Sequence, residues 1–264
     1  MLKIESVSKT FNRNTPNENK VFDGLSLEIN EGDFVTIIGS NGAGKSTLLN
    51  IIAGVFPIDA GSIKLDNNDI SNFPEYKRAA YIGRVFQDPM LGTSPSMTIE
   101  ENLSLAYSRC ENFSLTWGLN PLKRSLFKKY LSDIPLGLEK RLTTKVRLLS
   151  GGQRQALTLV MATMKKPRLL LLDEHTAALD PKTAILVNDL TEQIIRKDKI
   201  TTLMVTHNLE HAIKMGNRLI MMHMGKVVLD ISGEEKATMT IPMLLKKFEQ
   251  TQGEQFVNDR VMLA

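Results

Sequence analysis

The sequence predicts an α/β fold: a mostly parallel sheet with helices between its strands, an antiparallel β element at the N-terminus and a helical insertion. Three observations predict it. The runs Phe34 to Ile38 and Leu169 to Leu172 are apolar throughout, as strands covered on both faces of a parallel sheet should be. The early segments alternate instead and are joined by turn signals such as Asn30-Glu31-Gly32-Asp33, which favours antiparallel pairing. Between Thr98 and Lys165 strand patterns give out and helical periodicity takes over.

In chain order, strand-like runs occupy Leu2 to Val7, Val21 to Ile29, Phe34 to Ile38, Ile63 to Leu65 and Tyr81 to Phe86. They resume at Leu169 to Leu172, Thr201 to Val205, Leu219 to Met222 and Lys226 to Leu229. Leu48 to Ala53 has the pattern of a helix, as do Ile99 to Arg109, Leu122 to Leu131 and Gly152 to Met164 in the insertion. Glu111 to Asn120, which holds Trp117, breaks periodicity and is expected to be a loop. Pro181 to Arg196 is helical, with Pro181 suited to the first position after Asp180. Ile241 to Phe248 is an amphipathic helix. Met221, Met222 and Met224 are expected to fill the core beside a late strand. The resulting organisation is a domain over 1–231, with a helical subdomain inserted at about 98–165, and a C-terminal helix and tail over 232–264.

Composition excludes several classes. The 264 residues suffice for one large domain with a smaller subdomain. Hydrophobic content of 42% and charged content of 23% are those of a soluble globular chain. No apolar stretch approaches the roughly 20 residues needed to span a bilayer, and Met1 to Val7 alternates like a strand rather than a secretory leader. The single Cys110 rules out an intrachain disulfide and fits a reducing compartment. A formal charge of +4 is mildly basic and gives no argument for a nucleic-acid partner. The basic residues between Lys123 and Arg147 are expected on a solvated helical face, the alternative being a surface held near an anionic membrane or a charged partner.

Chemistry concentrates first at Gly39-Ser40-Asn41-Gly42-Ala43-Gly44-Lys45-Ser46-Thr47. This run fits the phosphate-binding pattern G-x-x-x-x-G-K-[ST], and it lies between a strand and a helix as that pattern requires. Glycines let the backbone wrap tightly, so that successive N–H groups converge on phosphate oxygens. The helix N-terminus adds about half a positive charge. Lys45 is placed to reach the β- and γ-phosphates, and the Ser46 hydroxyl to ligate Mg²⁺. The chain is therefore expected to bind a nucleoside triphosphate. The second concentration is Leu169-Leu170-Leu171-Leu172-Asp173-Glu174. An apolar strand ending in carboxylates puts Asp173 at the sheet edge, where it can hold Mg²⁺ through water. Glu174 is then placed to polarise a water for attack.

Leu149-Ser150-Gly151-Gly152-Gln153-Arg154-Gln155 resembles the signature motif of ATP-binding-cassette (ABC) ATPases. Other motifs of that family are present in order: Gln87 resembles the Q-loop glutamine, Ala178-Leu179-Asp180 the D-loop and His207 the switch histidine. Phe11 resembles the aromatic residue that stacks on adenine and is expected on a surface loop. The resemblance runs from about Met1 to Ile231. It implies a phosphate-loop NTPase core that binds ATP through Phe11 and Gly39 to Thr47. It further implies Mg²⁺ held by Ser46, Gln87 and Asp173, partly through water, with Glu174, His207 and Gln87 in catalysis. Ser150, Gly151, Gly152 and Gln153 would act in trans, across a head-to-tail homodimer with two sandwiched ATP molecules linked through Asp180. One departure stands out: the family usually has proline after Asp173-Glu174, and this chain has His175, a titratable group beside the carboxylate. The pair His207 and His211 lacks the glutamate of H-E-x-x-H, since Asn208 stands there.

The surroundings of Gln87 and Glu174 are similar to those in ATPase subunits of bacterial binding-protein-dependent importers, some tied to uptake of tryptophan or related amino acids. That resemblance implies a multi-pass permease, docked on the turn-rich segment Asp88 to Ser96. It also implies an extracytoplasmic binding protein and a peripheral location on the cytoplasmic side of the cell membrane. The alternative is a soluble ATPase of the same family working with a protein scaffold, as in iron–sulfur cluster assembly. A two-cassette translation factor is disfavoured because one cassette is present. The absence of heptads between Ser46 and Ser150 disfavours a coiled-coil DNA-repair protein.

Overall fold

The computed structural model describes residues 1–109 and 120–252, with backbone alone at Thr251 and Gln252. Cys110, Trp117 and the tail beyond Gln252 lie outside the described residues. The elements run β1 (Leu2–Phe11), β2 (Asn19–Ile29), β3 (Phe34–Gly39), α1 (Lys45–Ala53), β4 (Ala60–Leu65), β5 (Asn68–Asp69), α2 (Glu75–Arg78) and β6 (Ile82–Val85). There follow α3 (Ile99–Ser108), α4 (Pro121–Ser132), α5 (Gly151–Thr163), β7 (Leu169–Asp173), α6 (Pro181–Asp198) and β8 (Thr201–Val205). The chain continues through α7 (Leu209–Lys214), β9 (Arg218–His223), β10 (Lys226–Ser232), α8 (Gly233–Ala237) and α9 (Ile241–Gln252). It divides into two units, one formed by Met1–Arg78 with the chain from Ile200 onward, the other by Ala79–Lys199.

The first unit contains the antiparallel element expected from the alternating N-terminal pattern. Its strands lie in the order β2-β1-β4-β5, with Leu2 opposite both Ile29 and Leu65. Leu2, Ile4 and Val7 face inward and are buried, which fixes the register, since a slip of one residue would expose all three. The same unit holds β3 in parallel pairing with β8 on one side and β9 on the other, and β10 closes back antiparallel on β9. All six residues of β3 are buried, the physical reason for its unbroken apolar run. β1 continues past Val7 to Phe11, so Phe11 ends a strand rather than riding on a loop. Met221 and Met222 are fully buried, but Met224 is 77% exposed at a turn, where its φ is 45°. Only two of the three methionines therefore fill the core, because the chain reverses between β9 and β10 and turns the third outward.

The C-terminal helices of this unit are part of that core. Met239, Leu244 and Phe248 pack in one apolar cluster with Ile38 of β3, Leu209 and Ala212 of α7, and Leu219 and Met221 of β9. The buried Lys236 ammonium donates to the carbonyls of Ile213, Met215 and Gly216. It thereby satisfies acceptors left open where α7 ends. Leu244 is fully buried, so Leu244→Ala is expected to cost about 2–5 kcal/mol in urea denaturation. A loss below about 0.5 kcal/mol, the level of a plain surface change, would mean that α9 is not part of the folded core.

The second unit begins with β6 and β7 in parallel register, Ile82 opposite Leu169. Its helices have the starts their sequences encode. Thr98 and Glu101 form a reciprocal capping box at α3, and the Asn120 side chain accepts from the Lys123 N–H at α4. Arg124 makes a two-pronged pair with the nearly buried Glu100, 2.7 Å at each oxygen, tying α4 to α3. Phe127 and Leu131 of α4 and Leu157 and Leu159 of α5 are buried. The exposed apolar side chains of this unit include Leu91, Leu105, Leu122 and Leu148.

Candidate active site

In the first unit, β3 delivers the chain into the glycine-rich loop and α1 receives it. Gly39 has φ 151°, and a Cβ there would lie 2.1 Å from the Met222 carbonyl oxygen, so only glycine lets β3 pass this close to β9 before turning. The loop closes through Ala43 N–H to Ser40 O, 3.1 Å, and is held from outside by Gly225 N–H to Ala43 O, 3.1 Å. Gly44, at φ 97°, occupies the N-cap of α1, and no side chain caps that helix. The first turn of α1 is thus presented to whatever the loop encloses, the arrangement that suits an anion. Asn41, Gly42 and Ser46 are exposed, Thr47 is half-buried, and Ser40 and Ala43 are buried. Lys45 is 6% exposed. Its ammonium donates to Gly39 O at 2.6 Å and Ser40 O at 3.0 Å, which places a desolvated positive charge against the loop itself.

His207 stands on the same unit. The Thr206 N–H donates to Ile37 O, 3.1 Å, pinning the end of β8 to the strand that feeds the loop. The Thr206 hydroxyl accepts from Asn208 N–H, and the Asn208 side chain accepts from His211 N–H at 2.9 Å to cap α7. The exposed His207 is held between these two anchors. Phe11 is half-buried. Phe56 meets it edge-on at 5.2 Å, and the Lys9 ammonium lies 5.1 Å from its ring centroid.

In the second unit, β7 carries Asp173 to its end, as the apolar run predicts. Arg84 on the neighbouring β6 places its guanidinium 3.7 Å from the Asp173 carboxylate, with both side chains mostly buried. The same guanidinium lies 4.5 Å from the Phe86 ring centroid. Glu174 follows at φ 44°, a left-handed backbone that costs a non-glycine residue about 1–3 kcal/mol. The turn after it is closed by Ala177 N–H to Glu174 O, 2.9 Å. His175 is 2% exposed, its Nε2 lying 3.1 Å from the Thr191 hydroxyl on α6.

Gln87 is exposed on the bend after β6. The segment that follows is a series of hydrogen-bonded turns: Asp88 Oδ1 accepts from Met90 N–H, and Asn102 on α3 accepts from Ser94 N–H. Leu91 is 70% exposed there. Ser150 caps α5 in a reciprocal box with Gln153, so the helix expected from Gly152 starts one residue earlier, at Gly151. Asp180 caps α6 by accepting from Thr183 N–H at 3.1 Å, and the Thr183 hydroxyl together with that N–H holds its carboxyl below the usual range. A Cβ on Gly152 would sit 2.0 Å from the Thr183 methyl, so the signature helix and the helix led by Asp180 touch at this glycine. Gly152→Ala is expected to destabilise by about 1–3 kcal/mol through overpacking. Thr183→Ala, which removes the obstructing methyl, should recover most of it. Equal denaturation midpoints for wild type and Gly152→Ala would refute that contact.

Sequence reasoning missed three groups here. Arg84 reads as one more charge near a strand end, and only strand pairing reveals its partner. Gln155 is fully buried on α5 and donates to Phe86 O at 3.2 Å, immediately before Gln87. Arg154 reaches the Met90 sulfur and the carbonyls of Val146, Arg147 and Leu149. A glutamine on the apolar face of a helix was the available signal for Gln155. Nothing in the pattern marked the rest.

Comparison with known proteins places this geometry. The profile of the ABC transporter family matches residues 22–177. The chain is 52% identical over 249 residues to the tyrosine transport ATP-binding protein of Clostridioides difficile, covering 94% of this chain and 99% of that one. It is 37% identical to the aliphatic sulfonates import ATP-binding protein SsuB 2 of Agrobacterium fabrum, over 81% of this chain and 75% of the relative. Against the spermidine/putrescine import ATP-binding protein PotA of Haemophilus influenzae identity is 36% over 89% of this chain, which spans 59% of that longer protein. Among solved structures, a nucleotide-free ATP-binding cassette from an ABC transporter superposes with a TM-score of 0.75 at 29% identity, over 96% and 99% of the two chains. The dimeric post-hydrolysis cassette MJ0796 bound to ADP and Pi superposes at 0.73 and 28%, over 88% and 98%. With the family profile spanning more than half its length and relatives well above 30% identity over four fifths or more of it, this chain belongs to the ABC transporter family, as one of its ATP-hydrolysing cassettes.

Proposed function

We propose that this chain is the nucleotide-binding subunit of an importer, hydrolysing ATP on the cytoplasmic face of a membrane to move an aromatic amino acid through a separate permease. The single observation that carries the reading is the identity to a tyrosine transport ATP-binding protein along 99% of that protein's length. No helix among the described residues is long and apolar enough to cross a membrane, and this reading assigns the crossing to the permease. The exposed segment around Met90 and Leu91 is the proposed docking surface. Two copies are proposed to work head to tail, with Ser150, Gly151, Gly152 and Gln153 of each facing the nucleotide of the other and Asp180 linking the sites. An extracytoplasmic binding protein is proposed to deliver the cargo.

The chemistry follows from the residues. The loop amides of Gly39 to Thr47 and the Lys45 ammonium cradle the phosphates, and Phe11 offers a ring face to the base. As ATP enters, Lys45 exchanges two neutral carbonyl acceptors for negatively charged phosphate oxygens, which adds a charge–charge attraction that a desolvated site screens little. A hydroxyl from Ser46, an amide oxygen from Gln87 and a carboxylate from Asp173 are all hard oxygen donors, which fits Mg²⁺. When bound, Mg²⁺ neutralises phosphate charge that builds in the transition state. Arg84 shares the Asp173 carboxylate and orients it. Glu174 takes the proton of the attacking water, and His207 stabilises charge on the γ-phosphoryl oxygens.

Uptake of labelled amino acids in cells lacking this chain tests the proposal. Resupplying the wild-type chain should restore uptake of tyrosine or tryptophan, and resupplying Glu174→Gln should not. Unchanged uptake of every aromatic amino acid would remove the proposed cargo class.

A further inference from the structure

Glu174 holds a left-handed backbone that most residues avoid, and something adjacent must keep it there. His175 is the next residue, buried, with Nε2 3.1 Å from the Thr191 hydroxyl oxygen. Thr191 is itself fully buried on α6 and donates its one hydroxyl proton to Val187 O at 2.7 Å, one helical turn back. With that proton committed, the hydroxyl faces the imidazole with a lone pair, so Nε2 carries a hydrogen and is the donor. The chain Nε2–H to Thr191 Oγ1 to Val187 O is thus directional and shielded from water, and α6 is an 18-residue helix with little freedom to follow a loop.

We infer that His175 is a positioning residue: its hydrogen bond to Thr191 anchors the backbone after Glu174 to α6 and holds the Glu174 carboxylate where it can meet the attacking water. The inference rests on the reading of Glu174 as the base. It assigns to a hydrogen bond the restraint that a proline ring would supply by fixing φ. The anchor is expected to bear on the hydrolytic step, since the proposed function assigns phosphate capture to Lys45 and the glycine-rich loop.

The test is steady-state ATP hydrolysis by the full chain, with kcat and KM for Mg-ATP normalised to nucleotide-binding sites and measured well below the unfolding temperature. Thr191→Val keeps the shape of the side chain and removes the acceptor, while His175→Leu removes the donor. Each should lower kcat about ten-fold while KM stays within about two-fold, the signature of a misplaced group rather than lost binding. Thr191→Ser and His175→Gln keep an acceptor and a donor in place and should retain wild-type kcat. If His175→Leu fails to fold, Thr191→Val decides alone. Wild-type kcat in Thr191→Val, or an equal loss in all four variants, would overturn the anchor. Glu174→Gln run alongside separates the two readings. Full turnover there means that Glu174 is not the base, whereas its loss beside an unaffected Thr191→Val means that only the anchor is wrong.

Discussion

Replacing Glu174 with glutamine is expected to lower steady-state ATP hydrolysis by about 10²–10⁴-fold, the usual worth of a positioned general base. The substitution keeps size and shape and removes the negative charge, and with it the ability to take a proton. Capture of ATP should therefore survive, since Lys45 and the glycine-rich loop are untouched. With hydrolysis blocked and nucleotide bound, the two-copy assembly has no route to reopen, so it should accumulate. Gel filtration at saturating Mg-ATP is expected to show Glu174→Gln as a dimer under conditions where the wild type cycles. A wholly monomeric Glu174→Gln would contradict head-to-tail closure, and hydrolysis within about two-fold of wild type would remove Glu174 as the base.

Lys45→Ala should act at the earlier step. The Lys45 ammonium is nearly buried and already held at 2.6 and 3.0 Å by two loop carbonyls, so its charge is desolvated before any phosphate arrives. Removing it deletes a charge-assisted donor and leaves those two carbonyls to find other partners. By analogy with the loss of one preorganised donor to a developing oxyanion, kcat/KM for ATP should fall about 10²–10³-fold. Equilibrium binding of a fluorescent ATP analogue should weaken in parallel, which separates this variant from Glu174→Gln. Unchanged nucleotide affinity would show that the ammonium braces the loop and does not contact phosphate.

Strands and helices with strong periodicity were legible from the sequence alone. Thr201–Val205 and the start of α6 at Pro181 match the expected bounds, because a short run of β-branched and apolar residues and a Pro after an Asp cap are local signals. The α2 and α7 helices were not expected: they are four and six residues long, too short to complete a periodic pattern. Strand alternation fades after Val7, which predicts a loop at Phe11, yet pairing with Lys20 and Asn19 carries β1 to its end. Met224 looked like its neighbours in composition and differs only in lying beyond the strand. The candidate site divides the same way. The glycine-rich loop, the carboxylate strand end and the capped signature helix announce themselves by spacing. The Arg84–Asp173 pair and the His175–Thr191 bond do not, since their partners lie 89 and 16 residues away in sequence and meet only through strand and helix packing.

Purifying the tagged chain from detergent-solubilised native membranes, and identifying what accompanies it by mass spectrometry, decides whether this cassette works as the engine of a membrane permease. A multi-pass permease is expected in stoichiometric amount, and it should be lost when Leu91 on the exposed segment is changed to a charged residue. Recovery of the chain wholly from the soluble fraction, in complex with soluble proteins alone, would contradict it.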